Sequence, residues 1–340
     1  MKNKKWISLA AAVVLAVTAL PVGVFAAKKD GAEEKLTKVT LNEVAHSIFY
    51  APQYVAIEEG YFAEEGLDLT LVTGFGADKV LTALISGEAD IGFMGAEASI
   101  YAYQEGATDP AVNFAQLTQR AGNFLVARKE MKDFKWEDLK GKKVLGGRKG
   151  GMPEMVFEYI LKKNGIDPQK DLTIDQSIDF GSTAAAFTGD DSAAYTVEFE
   201  PSATILEKEG AGYVVASLGE ASGYVPYTSY SAKESYMKEN PEIIQKFTNA
   251  LQKGMDYVQS HTPEEIAEVI APQFKETDLD TITTIVKRYY DQDTWKENLI
   301  FEKDSFELLQ DILEDAGELN TRAEYEKLVQ TEYAQKACES

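Results

Sequence analysis

From residue 36 onward, short apolar or alternating runs trade places with runs whose apolar residues recur at helical spacing. That exchange of periods is the mark of βαβ units built around a mainly parallel sheet. The spacing predicts a strand over 39–44 and a helix over 52–63, with Tyr54, Ile57 and Tyr61 on one face and Gly66 as its stop. A strand over 67–72, a helix over 78–85 ending at Gly87, a strand over 90–94, a helix over 98–104 and a strand over 112–117 follow.

The same order then returns, with a strand over 142–145, a helix over 153–163 and a strand over 193–199. Short phrases mark the repeat. Glu65-Gly66-Leu67-Asp68 is echoed by Asn164-Gly165-Ile166-Asp167, and Ile85-Ser86-Gly87-Glu88 by Phe187-Thr188-Gly189-Asp190. Glu97-Ala98-Ser99 is echoed by Glu200-Pro201-Ser202, and Gln104-Glu105-Gly106-Ala107 by Lys208-Glu209-Gly210-Ala211. Four landmarks in one order point to a duplicated lobe. The expected fold is therefore α/β with two lobes, each a mainly parallel sheet flanked by helices, and a ligand cleft between them. Two β-prone segments without helical period, 123–128 and 224–232, suit the connections. The organisation that follows is a first part of lobe I over 39–122, lobe II with hinge strands at its ends over 123–228, and a return to lobe I with C-terminal helices over 229–340. The helical tail from 241 carries no legible chemistry and is expected to buttress the lobes.

The N-terminus reads differently. Lys2, Lys4 and Lys5 precede an apolar stretch over 7–20 that Pro21 and Gly23 break, before the small-residue step Val24-Phe25-Ala26. This is the pattern of a secretory signal peptide over 1–26, followed by a charged, flexible leader over 27–38. The apolar stretch is shorter than the ~20 residues a membrane span requires. No Cys follows it, so no lipid-anchor position is seen, and the mature protein is expected outside the cytoplasm. Removal of the three lysines takes the net charge from -22 to -25. Such a balance excludes a nucleic-acid partner, which needs clustered cations. The single Cys338 excludes an internal disulfide and a multi-Cys metal site. No metal or cofactor is expected, and a monomer is.

In open α/β sheets, ligands sit beyond the carboxyl ends of the strands, where loops lead into helix N-termini. The candidate residues are those just after each strand. The first strand is followed by a polar and aromatic loop from Ala45 to Tyr50, and the second by Gly74-Phe75-Gly76, which is either an ordinary tight turn or an approach to a ligand. Glu97 is either a helix-terminal carboxylate matched to the macrodipole or an acceptor for a ligand N-H. Gly146-Gly147-Arg148-Lys149-Gly150-Gly151 places four glycines and two cations before a helix, as a flexible turn or as a cradle for an anionic or carbonyl group. Glu200, before Pro201, has the same two readings as Glu97. No nucleophile elbow, paired Cys or His-x-x-x-His accompanies them.

With these loops in place, the chain resembles the type II solute-binding proteins of ABC importers, in the branch of sulfonate, taurine, nitrate and thiamine-pyrimidine binders. The resemblance rests on Tyr50-Ala51-Pro52-Gln53-Tyr54-Val55-Ala56, on Glu59-Gly60-Tyr61-Phe62-Ala63-Glu64-Glu65-Gly66-Leu67-Asp68, on Ser86-Gly87-Glu88-Ala89-Asp90-Ile91-Gly92 and on Asp138-Leu139-Lys140-Gly141-Lys142. It implies a captured small solute, an ABC permease as partner and no reaction on the protein. It also implies ligand contacts at His46, Phe49, Tyr50, Phe75, Glu97, Arg148, Gly151 and Glu200. One relative of the branch is an enzyme making the thiamine pyrimidine through a Cys-rich motif, which this chain lacks. Two carboxylates in the cleft would repel an anion and attract N-H donors, and Phe49, Tyr50 and Phe75 would stack on a flat ring. The expected solute is thus a nitrogen heterocycle resembling a thiamine pyrimidine precursor. The alternative is a sulfonate, nitrate or other small anion, favoured if both carboxylates turn away to cap helices.

Overall fold

The computed structural model describes residues 35–178 and 181–339. The expected signal peptide, and the leader up to residue 34, lie outside the described residues. Among the described residues ten strands carry the architecture: β1 (Thr37–Glu43), β2 (Leu67–Thr73), β3 (Ile91–Met94), β4 (Ala111–Thr118), β5 (Asn123–Ala127), β6 (Lys143–Leu145), β7 (Thr173–Asp175), β8 (Tyr195–Phe199), β9 (Tyr213–Ser217) and β10 (Thr228–Lys233). They form two five-stranded sheets, ordered β2-β1-β3-β10-β4 and β7-β6-β8-β5-β9.

The two orders are one topology used twice. In each sheet the first three strands of the lobe run parallel, and one antiparallel strand is inserted beside the third. That inserted strand arrives from the other lobe: β5 enters the second sheet from the first, and β10 returns to the first from the second. Central strand β3 is buried along its whole length, and so is β4 at one end of the order, where Val329 and Trp295 bridge to it, whereas edge strand β2 alternates between covered and open positions. A sheet covered on both faces requires burial of its middle, and a margin strand stays open only where no other segment covers it, as at β2.

Most elements fall where hydrophobic periodicity puts them, and one does not. The single helix expected over 52–63 is two, Ala51–Glu58 and Tyr61–Glu64. Gly60 between them adopts φ 77, a left-handed conformation that ends the first helix and that a side chain would resist. Strands β7 and β9 and the helix Thr183–Gly189 are short and carry weak periodicity, so the pattern alone leaves them out.

The core of the first lobe centres on stacked rings, with the Phe93 and Tyr230 centroids 4.1 Å apart and their planes nearly parallel, and with Phe247 packed edge-on against Tyr230 at 5.5 Å. Phe247 belongs to the long helix Pro241–Ser260, whose apolar stripe lies on the helix Ala51–Glu58. Gly254 permits that approach, because a side chain there would collide with the Pro52 carbonyl. Among the described residues no helix is long and apolar enough to cross a membrane.

Candidate functional site

The carboxyl ends of the parallel strands of both lobes face one another, and the loops and helix starts there build the site. Glu97 opens the helix Glu97–Gln104 immediately beyond β3. Its side chain is buried, with Oε2 making no hydrogen bond among the described residues. Burial raises its pKa to about 7, against the lowering effects of its own backbone N-H, the Met152 N-H and Arg148. The Met152 N-H belongs to the first turn of the helix Met152–Lys163 in the other lobe, so this carboxylate spans the lobe boundary. Gly95 makes room for it, since a Cβ there would overlap the carboxylate.

Aromatic rings surround this point. Phe49 and Tyr50 form a one-turn helix capped by Ser47, whose hydroxyl accepts the Phe49 N-H at 3.3 Å. Phe49 is fully buried and touches Tyr50 at 5.1 Å, Tyr289 at 5.2 Å, Tyr227 at 5.6 Å and Phe199 at 5.9 Å. Its carbonyl accepts the Trp295 indole N-H at 2.8 Å. Burial holds the phenols of Tyr50 and Tyr227 well above their ordinary pKa, with Glu97 adding to both. Both rings therefore stay neutral beside the carboxylate.

Of the eight expected residues, Phe49, Tyr50, Glu97 and Gly151 come together at the lobe boundary, Gly151 as the residue that opens the helix Met152–Lys163. Four others have different surroundings. Glu200 does not offer a free carboxylate. Its Oε2 accepts the Thr204 N-H at 2.9 Å, its Oε1 the Thr204 hydroxyl at 2.9 Å, and Arg288 pairs with Oε1 at 2.8 Å. The cation and the helix Ser202–Lys208 thus consume the charge expected to meet a ligand. Phe75 stands 65% exposed on the rim at φ 56, away from the buried rings, because the turn between its two glycines projects outward. Arg148 is also at the rim, half exposed and 3.3 Å from Asp78 across the lobes. His46 has both ring nitrogens engaged, Nδ1 with Glu43 at 2.8 Å and Nε2 with the Gln273 carbonyl at 3.0 Å. The buried Glu43 carboxylate, which also accepts from Gln53, Tyr54 and Thr73, raises the imidazole pKa.

Other residues enter from parts of the chain that periodicity leaves silent. Asn123 and Tyr227 are buried, and among the described residues neither the amide of the first nor the hydroxyl of the second has a partner. The expected buttressing tail supplies Arg288, Tyr289 and Trp295. Tyr289 donates to the Gly122 carbonyl at 2.7 Å, at the point where the chain crosses between lobes. One signal was available in the sequence: Asn123 is the polar residue heading an otherwise apolar run, Phe124-Leu125-Val126-Ala127. The Arg288–Glu200 pair spans 88 positions and leaves no local trace.

Two cavities lie elsewhere. One of about 220 Å³ is lined by Lys143, Asp175 and Ser192 within the second lobe, and one of about 350 Å³ opens at the lobe mouth between Tyr101 and Glu318. At the Glu97 site itself the lobes are in direct contact.

Comparison with known proteins places this geometry. The family model described as "NMT1/THI5 like" matches residues 48–266. The chain is 48% identical over 304 residues to "Putative binding protein YtlA" of Bacillus subtilis, covering 89% of this chain and 91% of that one. It is 27% identical over 225 residues to the 4-amino-5-hydroxymethyl-2-methylpyrimidine phosphate synthase of Aspergillus parasiticus, covering 62% and 63% of the two chains. Among solved structures, the alkanesulfonate-binding protein SsuA of Xanthomonas axonopodis, bound to MOPS, superposes with a TM-score of 0.69 at 15% identity, over 87% of this chain and 99% of that one. The shared fold is that of the periplasmic binding proteins, and the chain belongs to the NMT1/THI5-like family.

Proposed function

We propose that this protein captures a small solute between its lobes outside the cytoplasm and delivers it to an ABC import permease, without transforming it. The solute is a flat nitrogen heterocycle, of the kind a thiamine pyrimidine precursor represents. The observation that carries this reading is the Glu97 carboxylate, buried at the lobe boundary beside neutral aromatic rings with one oxygen unpartnered. A buried acceptor of that kind is stabilised by an N-H donor and repelled by an anion. Glu200, neutralised by Arg288, no longer contributes to the argument, which now rests on one carboxylate.

A second reading has one observation in its favour. The Glu97 carboxylate already occupies the start of the helix Met152–Lys163, where an anionic solute would displace it and take the same N-H. The two readings separate in a thermal-shift screen of pyrimidines, flavins, sulfonates, nitrate and amino acids, because a solute that binds only the folded state raises the melting temperature. Heterocycles are expected to shift it and anions are not; the reverse result selects the anion. Small-angle scattering at saturation is expected to show compaction of the two lobes, and unchanged dimensions would count against closure on the solute.

A further inference from the structure

The two strands that cross between the lobes enter their new sheets in the same way. β5 runs antiparallel to β8, so its first residue, Asn123, lies opposite Phe199, the last residue of β8. β10 runs antiparallel to β3, with Ser229 opposite Met94 at the end of β3, and Tyr227 stands immediately before its first residue. Both side chains therefore belong to the carboxyl edge of the sheets, the edge that carries Glu97. Phe49 ties them together. Its ring lies 5.6 Å from Tyr227 and 5.9 Å from Phe199, and a Cβ on Gly122, next to Asn123, would stand 2.5 Å from it.

Asn123 is fully buried, yet among the described residues neither its Oδ1 nor its Nδ2 finds a hydrogen-bond partner; Tyr227 is 3% exposed and its hydroxyl is equally unpartnered there. Buried polar atoms are nearly always satisfied, and an amide with both ends open is a standing cost that packing alone does not explain. Their open groups, with Glu97 Oε2, come from three separate stretches of chain at one edge. A carboxamide holds an acceptor and a donor in one plane, and it pairs in two places with a ring edge that carries a donor beside an acceptor. A sulfonate or nitrate offers acceptors alone. It would answer Nδ2 and the phenol but leave Oδ1 and the carboxylate oxygen facing negative charge.

We propose that Asn123 and Tyr227 are the specificity-determining residues of the interlobe site, and that they select solutes whose ring edge sets a hydrogen-bond donor next to an acceptor, as in a lactam, imide or aminopyrimidine. This assignment rests on the solute-capture reading and narrows it.

The test uses the full chain with uracil, riboflavin and 4-amino-5-hydroxymethyl-2-methylpyrimidine as ring probes, and methanesulfonate and nitrate as anions, read by calorimetry and thermal shift. At least one ring probe is expected to bind. Asn123→Leu is expected to weaken it tenfold or more, and Tyr227→Phe several-fold. The ligand-free melting temperature of Asn123→Leu is expected to stay level or rise, since an isosteric apolar group removes unsatisfied polar atoms; a purely structural asparagine would lower it. Binding unchanged in both variants, or a fall in the ligand-free melting temperature of Asn123→Leu, overturns the assignment. Binding of the anions alone overturns it while leaving solute capture intact. A panel in which nothing binds removes both.

Discussion

At the scale of single residues, Glu97 and Glu200 stand at equivalent places, each beyond the third strand of its lobe, and their environments send them in opposite directions. Arg288 and Thr204 occupy Glu200, which makes it a structural residue. Removing a cation from a buried carboxylate is costly because the charge is left without water or partner. Arg288→Met is therefore expected to destabilise the protein by about 3 kcal/mol or more in urea unfolding, and a neutral result would show the pair to be dispensable. Glu97 makes no direct ion pair among the described residues, Arg148 acting on it only through its charge, and its pKa near 7 gives a signature in binding. A ring N-H is accepted by the ionised form, so affinity for a probe that does not itself titrate should rise about tenfold from pH 6 to pH 8. Glu97→Gln should weaken that probe by roughly 1 to 3 kcal/mol at pH 8 and flatten the pH dependence. A variant that keeps the wild-type slope would remove Glu97 from the site.

At the scale of elements, the strands that cross between lobes do more than connect them. Gly122 precedes β5 and packs against Phe49, and the Gly122 carbonyl accepts the Tyr289 hydroxyl. Gly122→Ala has no space for its methyl group, so it is expected to cost about 1 to 3 kcal/mol of stability and to displace the Phe49 ring, which near-ultraviolet circular dichroism would register. The β5 run itself was legible in the sequence, as were the duplicated order of strands and the loop bearing Glu97, because each is written in local periodicity and in Gly or Pro stops. What local pattern does not contain is the partner of a side chain. Glu97 and Glu200 look alike in their own neighbourhoods, and only folding brings Arg288 from the helix Leu279–Asp291 to one of them. The same limit explains the tail: Trp295 and Tyr289 look like ordinary packing residues until the chain returns to hold the Phe49 turn and the crossing point.

At the scale of the whole molecule, several buried ionisable groups share one sign of shift. Burial raises Glu97 and Glu198 to about 7, and burial together with the hydrogen bond and charge of Glu158 raises Glu154 to about 8. His46 is raised by its bond to Glu43. The three carboxyl groups ionise near pH 4.5 in the unfolded chain but keep their protons to near neutrality in the fold. Over that interval the folded state holds more protons, so its stability falls as pH rises. The His46 contribution is complete below its unfolded value of 6.5 and is lost as pH passes the raised folded value, which adds to the same slope. Growing negative charge on a chain already at -22 acts in the same direction. Asp175, lowered to about 2 by its bonds to Ser177 and Lys143, works the other way, but its contribution disappears only below about pH 4. Stability should therefore peak near pH 5 and drop by roughly 3 kcal/mol or more by pH 8, seen as a lower urea midpoint. Glu97→Gln and Glu154→Gln should each reduce that drop, whereas a midpoint that rises toward pH 8 would mean these carboxyl groups are ionised and paired in the folded protein. Solute binding at Glu97 should recover part of the loss, because an N-H donor stabilises the ionised carboxylate that the empty fold disfavours.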